Sequence, residues 1–238
     1  MTLRTRFRRL AFGLATVCGL APRGFFIPYR YAGAIAPLGK RPPYRAVEDL
    51  FAAAEPGFAE VLQALESYRG DLEAIGSSGN GAPDPAPRWG QSWFPPLDAA
   101  VAYAMVRRLA PKAIIEVGSG HSTRFLTRAL HDGGIDAAVT AIDPAPRAAM
   151  QSLVANGRPV EWIGGTVQTV DAAVFDALGP GDILFIDSSH ILVPGTDVDV
   201  LLNSVLPRLP SGVHVQVHDV FLPDDYPEGW AWRGYNDK

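Results

Sequence analysis

The stretch Ala113 to Thr123, AIIEVGSGHST, constrains the fold of this chain more than any other. Ala113 to Val117 is a short apolar run carrying one acid, Glu116, and ending at glycine. It lacks in-and-out alternation, so it reads as a parallel strand buried on both faces. Gly118-Ser119-Gly120 then forces a tight turn. Ser122 and Thr123 can cap a helix, whose apolar positions Phe125, Leu126, Ala129 and Leu130 follow at helical spacing. Strand, glycine turn and helix start together make a cradle for a nucleoside-type ligand. The glycines let the backbone come close, and the helix end offers free N–H groups.

A strict G-x-G-x-x-G dinucleotide pattern is absent, because Thr123 stands where its third small residue would be. Glu116 at the strand tip would repel a pyrophosphate. It would instead welcome a cation, such as a ligand amino group.

The residues that follow alternate strand and helix. Strands are expected over Ala137–Ile142, Val160–Ile163, Asp182–Ile186 and Val213–Val217. Helices are expected after Ser122 and over Arg147–Asn156, Asp171–Leu178 and Asp197–Leu206. With right-handed crossovers this gives an α/β fold, a doubly wound Rossmann-like parallel sheet of order 3-2-1-4-5. Ligands of such sheets bind outside the carboxyl ends of the strands. Glu116, Asp143, Asp187, His190, His218 and Asp219 all fall at those ends. Structural acids have no reason to choose one edge. Asp143, at the tip of the second strand, suits the two hydroxyls of a ribose.

Before the sheet, Tyr44–Ala54 is an expected helix, broken at Pro56-Gly57. Phe58, Val61, Leu62, Leu65 and Tyr68 then give a second helix one apolar face. Gly76 to Gly90 reads as a linker by composition. The chain accordingly divides into an N-terminal cap and linker, residues 1–88, and a main domain, residues 89–238. Trp89, Trp93 and Phe94 either line an acceptor pocket or dock a loop. Pro95-Pro96 opens a helix that Pro111 stops, and that helix feeds the central strand.

The totals narrow the partners. The 238 residues carry a net charge of −4, and the main body shows no basic face, so no nucleic-acid partner is expected. Cys18 is the sole cysteine, which excludes an intrachain disulfide and fits a reducing compartment. Arg4, Arg6, Arg8 and Arg9 precede an apolar run from Leu10 to Ala21. Three readings stay open for this segment: the start of a secretory signal, a helix lying on a membrane surface, or a helix packed on the domain.

IIEVGSGHSTRFL resembles motif I of the class I S-adenosylmethionine-dependent methyltransferases. GDILFIDSSH with GTDVDVLLNSVLPRLPSGVHVQVHDVFLPDDYP is similar to the small-molecule group that carries a D-x-S-H segment after strand four. The resemblance runs from about Trp93 onward. It implies S-adenosylmethionine as cofactor, held by Glu116, Gly118, Ser119, Gly120 and Asp143. It implies methyl transfer to a small-molecule acceptor, with O-methylation expected. His190 is the expected general base, since an imidazole can take a proton near neutral pH. Asp187 and Asp219 would position the acceptor hydroxyl. In related sugar and catechol O-methyltransferases, acids at these two tips hold Mg²⁺, so Asp187 and Asp219 are also the candidate metal ligands. The neighbouring ligand position falls on His218 or Val220, neither of which suits Mg²⁺.

The alternatives are an NAD(P)-dependent oxidoreductase on a similar sheet, and a non-catalytic binding module on a degenerate methyltransferase fold. A methyl donor drawn from the cytosolic pool points to a cytoplasmic protein, with membrane association through residues 1–31 as the N-terminal expectation. Class I sheets usually add two strands after the fifth. Val220 to Lys238 leaves no room for them, so the domain reads as C-terminally incomplete. An exposed fifth strand and a marginally soluble or oligomeric protein are expected from that.

Overall fold

Five short strands form the sheet: β1 (Ala113–Val117), β2 (Ala138–Ile142), β3 (Val160–Ile163), β4 (Ile183–Ile186) and β5 (His214–Val217). All pair in parallel, in the order β3-β2-β1-β4-β5 that the sequence predicts. The register sets the strand ends level. Val117 stands beside both Ile142 and Ile186, Ile142 beside Ile163, and Ile186 beside Val217. The residues that follow each strand therefore emerge in one row. The computed structural model describes residues 3–37, 39–77, 85–146, 150–155, 157 and 159–226.

The helices of the chain are α1 (Leu3–Val17), α2 (Arg45–Ser67), α3 (Arg69–Ser77), α4 (Pro96–Leu109), α5 (His121–Gly133), α6 (Met150–Ala155) and α7 (Asp197–Val200). The chain divides into two units, residues 1–53 with 221–238, and residues 54–220. The boundary drawn from sequence at residue 88 falls inside the larger unit. There Tyr68, Leu72 and Ile75 pack into the same core as α4 and α5, which joins the segment before the linker to the sheet.

Strand residues two apart share a face, and this divides the core in two. On one side Ile114, Val139, Ile183 and Phe185 meet Phe94, Tyr103 and Val106 from the α4 region and Phe125, Leu126 and Leu130 of α5. On the other side Ile115, Val117, Leu184 and Ile186 meet Val167, Phe175, Leu201 and Val205. Both faces are covered, which is why the strands read as unbroken apolar runs. Glu116 has the parity of Ile114, so it points toward α5. Asp182 joins β1 to β4 at the opposite edge, accepting from the N–H groups of Lys112 and Ala113 at 2.8 and 2.9 Å.

Several element boundaries differ from the expectation. Helix α2 runs through Pro56 without a break. Ala52 to Ala54 lead up to the Pro56-Gly57 pair and Phe58 to Leu65 follow it, and the helix on both sides carries through the pair despite its cost. The segment from Asp197 continues past α7 as a π-helical turn, Leu201–Val205, and a 3-10 turn, Leu206–Arg208. The expected helix at Asp171–Leu178 is a 3-10 helix, Ala172–Ala177. Of the helix expected over Arg147–Asn156, Met150–Ala155 is helical, while residues 147–149 and 156 lie outside the described residues, as do residues 78–84 of the linker.

Two features bear on the edges of the molecule. Among the described residues no strand follows β5, and its Val215 and Val217 are exposed. Helix α1 buries none of its described residues. No helix among the described residues is long and apolar enough to cross a membrane.

Candidate active site

The row of strand ends is extended by one further backbone bond at each tip. Gly118 N–H donates to Ile142 O at 2.9 Å, Asp187 N–H to Val117 O at 2.9 Å, and His218 N–H to Ile186 O at 2.9 Å. The backbone at these positions is fixed by the sheet, so their side chains are aimed by it. Gly118 is required twice over. Its φ is +86°, and a β-carbon there would stand 1.9 Å from the Asp187 carbonyl oxygen.

The glycine turn is held from below by two acids. Glu116 is fully buried; Ser122 Oγ donates to its Oε1 at 2.5 Å and Thr123 Oγ1 to its Oε2 at 2.6 Å. Burial pushes its carboxyl up to about 8, against the pull of those two hydroxyl bonds. Thr123 Oγ1 also accepts the Gly120 N–H at 3.0 Å, which ties the turn to the first turn of α5. The sequence places Glu116 against a ligand cation. In the structure both its oxygens are engaged by hydroxyls and no face is open, so it acts as a post for the turn. Ser122 and Thr123 lie inside α5 and reach back to Glu116, while Gly120 occupies the cap position.

Asp143 is buried beside the same turn. Its Oδ2 accepts from Ser119 N–H at 2.8 Å and from Ser119 Oγ at 3.2 Å, and its Oδ1 accepts from Ala145 N–H at 2.7 Å. One acceptor direction of the carboxylate is left over by these three bonds. Gly118, Ser119, Gly120 and Asp143 thus form one connected wall at the tips of β1 and β2.

The second cluster stands at the tips of β4 and β5. Asp187 Oδ1 lies 3.2 Å from His218 Nδ1 and 3.4 Å from His190 Nε2. Asp219 reaches both histidines, with Oδ2 at 3.8 Å from His190 Nε2 and Oδ1 at 3.7 Å from His218 Nδ1. Burial pushes the Asp187 carboxyl up, but hydrogen bonds to His190 and His218 outweigh it and hold the group at about 2. For His218, burial favours the neutral ring; the bond to Asp187 and the charges of Asp187, Asp219 and Asp98 overcome this and raise its pKa. His190 and Asp219 both have left-handed backbone, φ 60° and 56°. Such conformations concentrate at functional sites.

Sequence reasoning names His190, Asp187 and Asp219, and the structure brings all three together. It undervalues His218, the most buried member of the cluster. The His218 ring stands edge-on to Phe94 at 5.2 Å, and its Nε2 faces Asp98 Oδ1 at 3.8 Å. Asp98, on the first turn of α4, is missed entirely. Parity could have found His218, since it shares the β5 face of His214 and Gln216, which stand beside Ile183 and Phe185. Of the three aromatics before α4, Trp89 and Phe94 pack on Phe125 and dock the loop, while Trp93 is half exposed.

Mg²⁺ fits this cluster poorly. The ligand atoms that converge within 4.8 Å of one another are those of Asp187, His190 and His218, two imidazoles to one carboxylate. Mg²⁺ prefers an octahedron of oxygens, whereas imidazole suits ions such as Zn²⁺.

No curated protein matches the chain. Among solved structures it is similar to the SAH-bound methyltransferase PaMTH1 of Podospora anserina, with 16% identity, a TM-score of 0.39, and coverage of 82% of this chain and 73% of that one. Residues 115–220 match the family model described as a methyltransferase domain. That span starts within β1 and ends just past Asp219, so it takes in the glycine turn, Asp143 and the Asp–His cluster. With the sheet order, this match gives residues 115–220 a Rossmann-like methyltransferase fold.

Proposed function

We propose that the chain transfers a methyl group from S-adenosylmethionine to a hydroxyl of a small molecule, with His190 as general base. The observation that carries this reading is the placement of two separate sets of groups along one sheet edge. A glycine turn with a ribose-type acid stands at β1 and β2, and a base with its acids stands at β4 and β5.

Gly118, Ser119 and Gly120 offer backbone to the donor, and Asp143 offers its remaining acceptor direction to a ribose hydroxyl. Glu116 keeps the turn in shape from beneath. The acceptor oxygen attacks the sulfonium methyl carbon in line; the new C–O bond forms as the C–S bond breaks. S-adenosylhomocysteine leaves, and the hydroxyl proton passes to His190 Nδ1, the ring nitrogen that does not face Asp187 and Asp219. Asp187 and Asp219, facing Nε2 at 3.4 and 3.8 Å, orient that imidazole. The protein's contribution is alignment and proton removal. No step is assigned to Mg²⁺, because the donor set does not suit it.

The direct test is turnover with a methyl-labelled donor against a panel of small hydroxylated acceptors. Label should appear on oxygen. Wild-type rates in a folded His190→Ala variant would end the assignment of the base. Tight NAD binding with no affinity for S-adenosylhomocysteine would favour an oxidoreductase on the same sheet instead.

A further inference from the structure

The first 47 residues hold nine of the 21 lysines and arginines and none of the 25 acids. The remainder of the chain is correspondingly acidic. This is a sharp internal division of charge, and it coincides with a run of exposed apolar side chains.

Helix α1 concentrates both. Leu3, Phe7, Leu10, Leu14 and Val17 recur at intervals of four and three residues, so they line one face. All five are at least half exposed, from 54% at Leu14 to 87% at Leu3. Arg4, Arg6 and Arg9 are exposed around the rest of the same helix. Beyond it, Phe25, Phe26 and Ile27 are exposed on an extended segment, each above half. Tyr29 and Tyr31 follow as an edge-on pair, with rings 5.8 Å apart. Aromatic rings with a polar tip favour the boundary between water and lipid.

We infer that this segment binds the surface of an anionic membrane, with α1 lying in the interface and the aromatics after it inserted beside it. Fifteen residues of helix reach about 22 Å, short of the roughly 30 Å hydrocarbon layer, so α1 rests on the bilayer and does not cross it. A basic segment without acids matches anionic headgroups, and each surface cation adds to the attraction. The same charge keeps a second copy of α1 away, which disfavours self-association through this face. The enzyme would then work at a membrane surface on acceptors that gather there.

The test is flotation of the full chain with vesicles. Binding is expected to phosphatidylcholine vesicles containing phosphatidylglycerol, to weaken steeply with added salt, and to be slight on phosphatidylcholine alone. A Leu10→Glu, Leu14→Glu variant should partition at least about tenfold more weakly, since each leucine removed forfeits its burial in lipid. An Arg4→Gln, Arg6→Gln variant should bind anionic vesicles about tenfold more weakly while keeping its melting temperature. Circular dichroism and thermal melts verify that each variant is folded. Failure of the wild type to float with anionic vesicles would overturn the inference. So would wild-type partitioning of the leucine variant, or self-association through α1 in light scattering without lipid binding. None of these readouts depends on the reaction proposed above.

Discussion

Asp187 and His218 lie 3.2 Å apart at the tips of adjacent strands, and each shifts the other toward its charged form. The pair is a half-buried ion pair with a pH window. The Asp187 contribution is present above the ordinary carboxylate pKa of about 3.9 and fades as pH falls toward its native value. The His218 contribution is full below about pH 6.5 and is lost as pH rises through its raised native pKa. Stabilisation from the pair is therefore greatest between about pH 4 and 6.5.

Asp187→Asn should remove that window. Breaking one side of such a pair leaves the imidazolium with only the more distant Asp219 and Asp98, at a cost of about 1–3 kcal/mol near pH 6. His218 should then titrate lower, visible by NMR of its ring protons. Turnover should fall by about a hundredfold or more, as expected when a base loses its orienting acid. An unchanged His218 titration would break the link between the two residues.

Glu116→Gln should change how stability depends on pH, and leave the fold intact. Burial holds the wild-type carboxyl protonated up to about 8. The folded state then binds a proton that the unfolded chain releases above about 4.3, so stability falls as pH rises between those values. Glutamine cannot ionise and can still meet the Ser122 and Thr123 hydroxyls. Thermal melts from pH 5 to 9 should show a shallower decline in the variant.

Asp143→Ala should weaken S-adenosylhomocysteine binding by about 1.5–3 kcal/mol, the scale of a hydrogen bond to a charged group. Ser119→Ala keeps the backbone N–H bond to Asp143 and loses only the hydroxyl bond, so its effect should stay near 1 kcal/mol. Titration calorimetry on the two variants separates the acid from the loop. Equal losses would mean that Asp143 serves the loop alone.

Millimolar Mg²⁺ should leave both melting temperature and turnover unchanged, because Asp187, His190 and His218 present too many nitrogens for it. A clear rise in melting temperature with Mg²⁺ would show that the two carboxylates can close around the ion without the histidines.

The sheet was legible because its signals are local. Each strand is a short apolar run closed by a turn, and the acids gather at one edge of the sheet. Pro56-Gly57 misled because the preference of two residues gave way to the helical stretches on either side of them. The use made of Glu116 was hidden for a different reason. Its position at the tip follows from the run AIIEV, but its direction follows from strand parity and from two hydroxyls in the next helix. Asp98 was illegible because nothing in the residues around α4 tells that its first turn meets the end of β5.

The near-contact between Gly118 and the Asp187 carbonyl makes the two halves of the site share a party wall. On the function proposed, remodelling the tip of β4 to admit a bulkier acceptor would press on the turn assigned to the donor, and tightening that turn would tilt Asp187. Acceptor range and donor affinity cannot be tuned one at a time in this scaffold. A variant selected for a new acceptor would carry a changed appetite for S-adenosylmethionine, even with every donor-side residue left as it was.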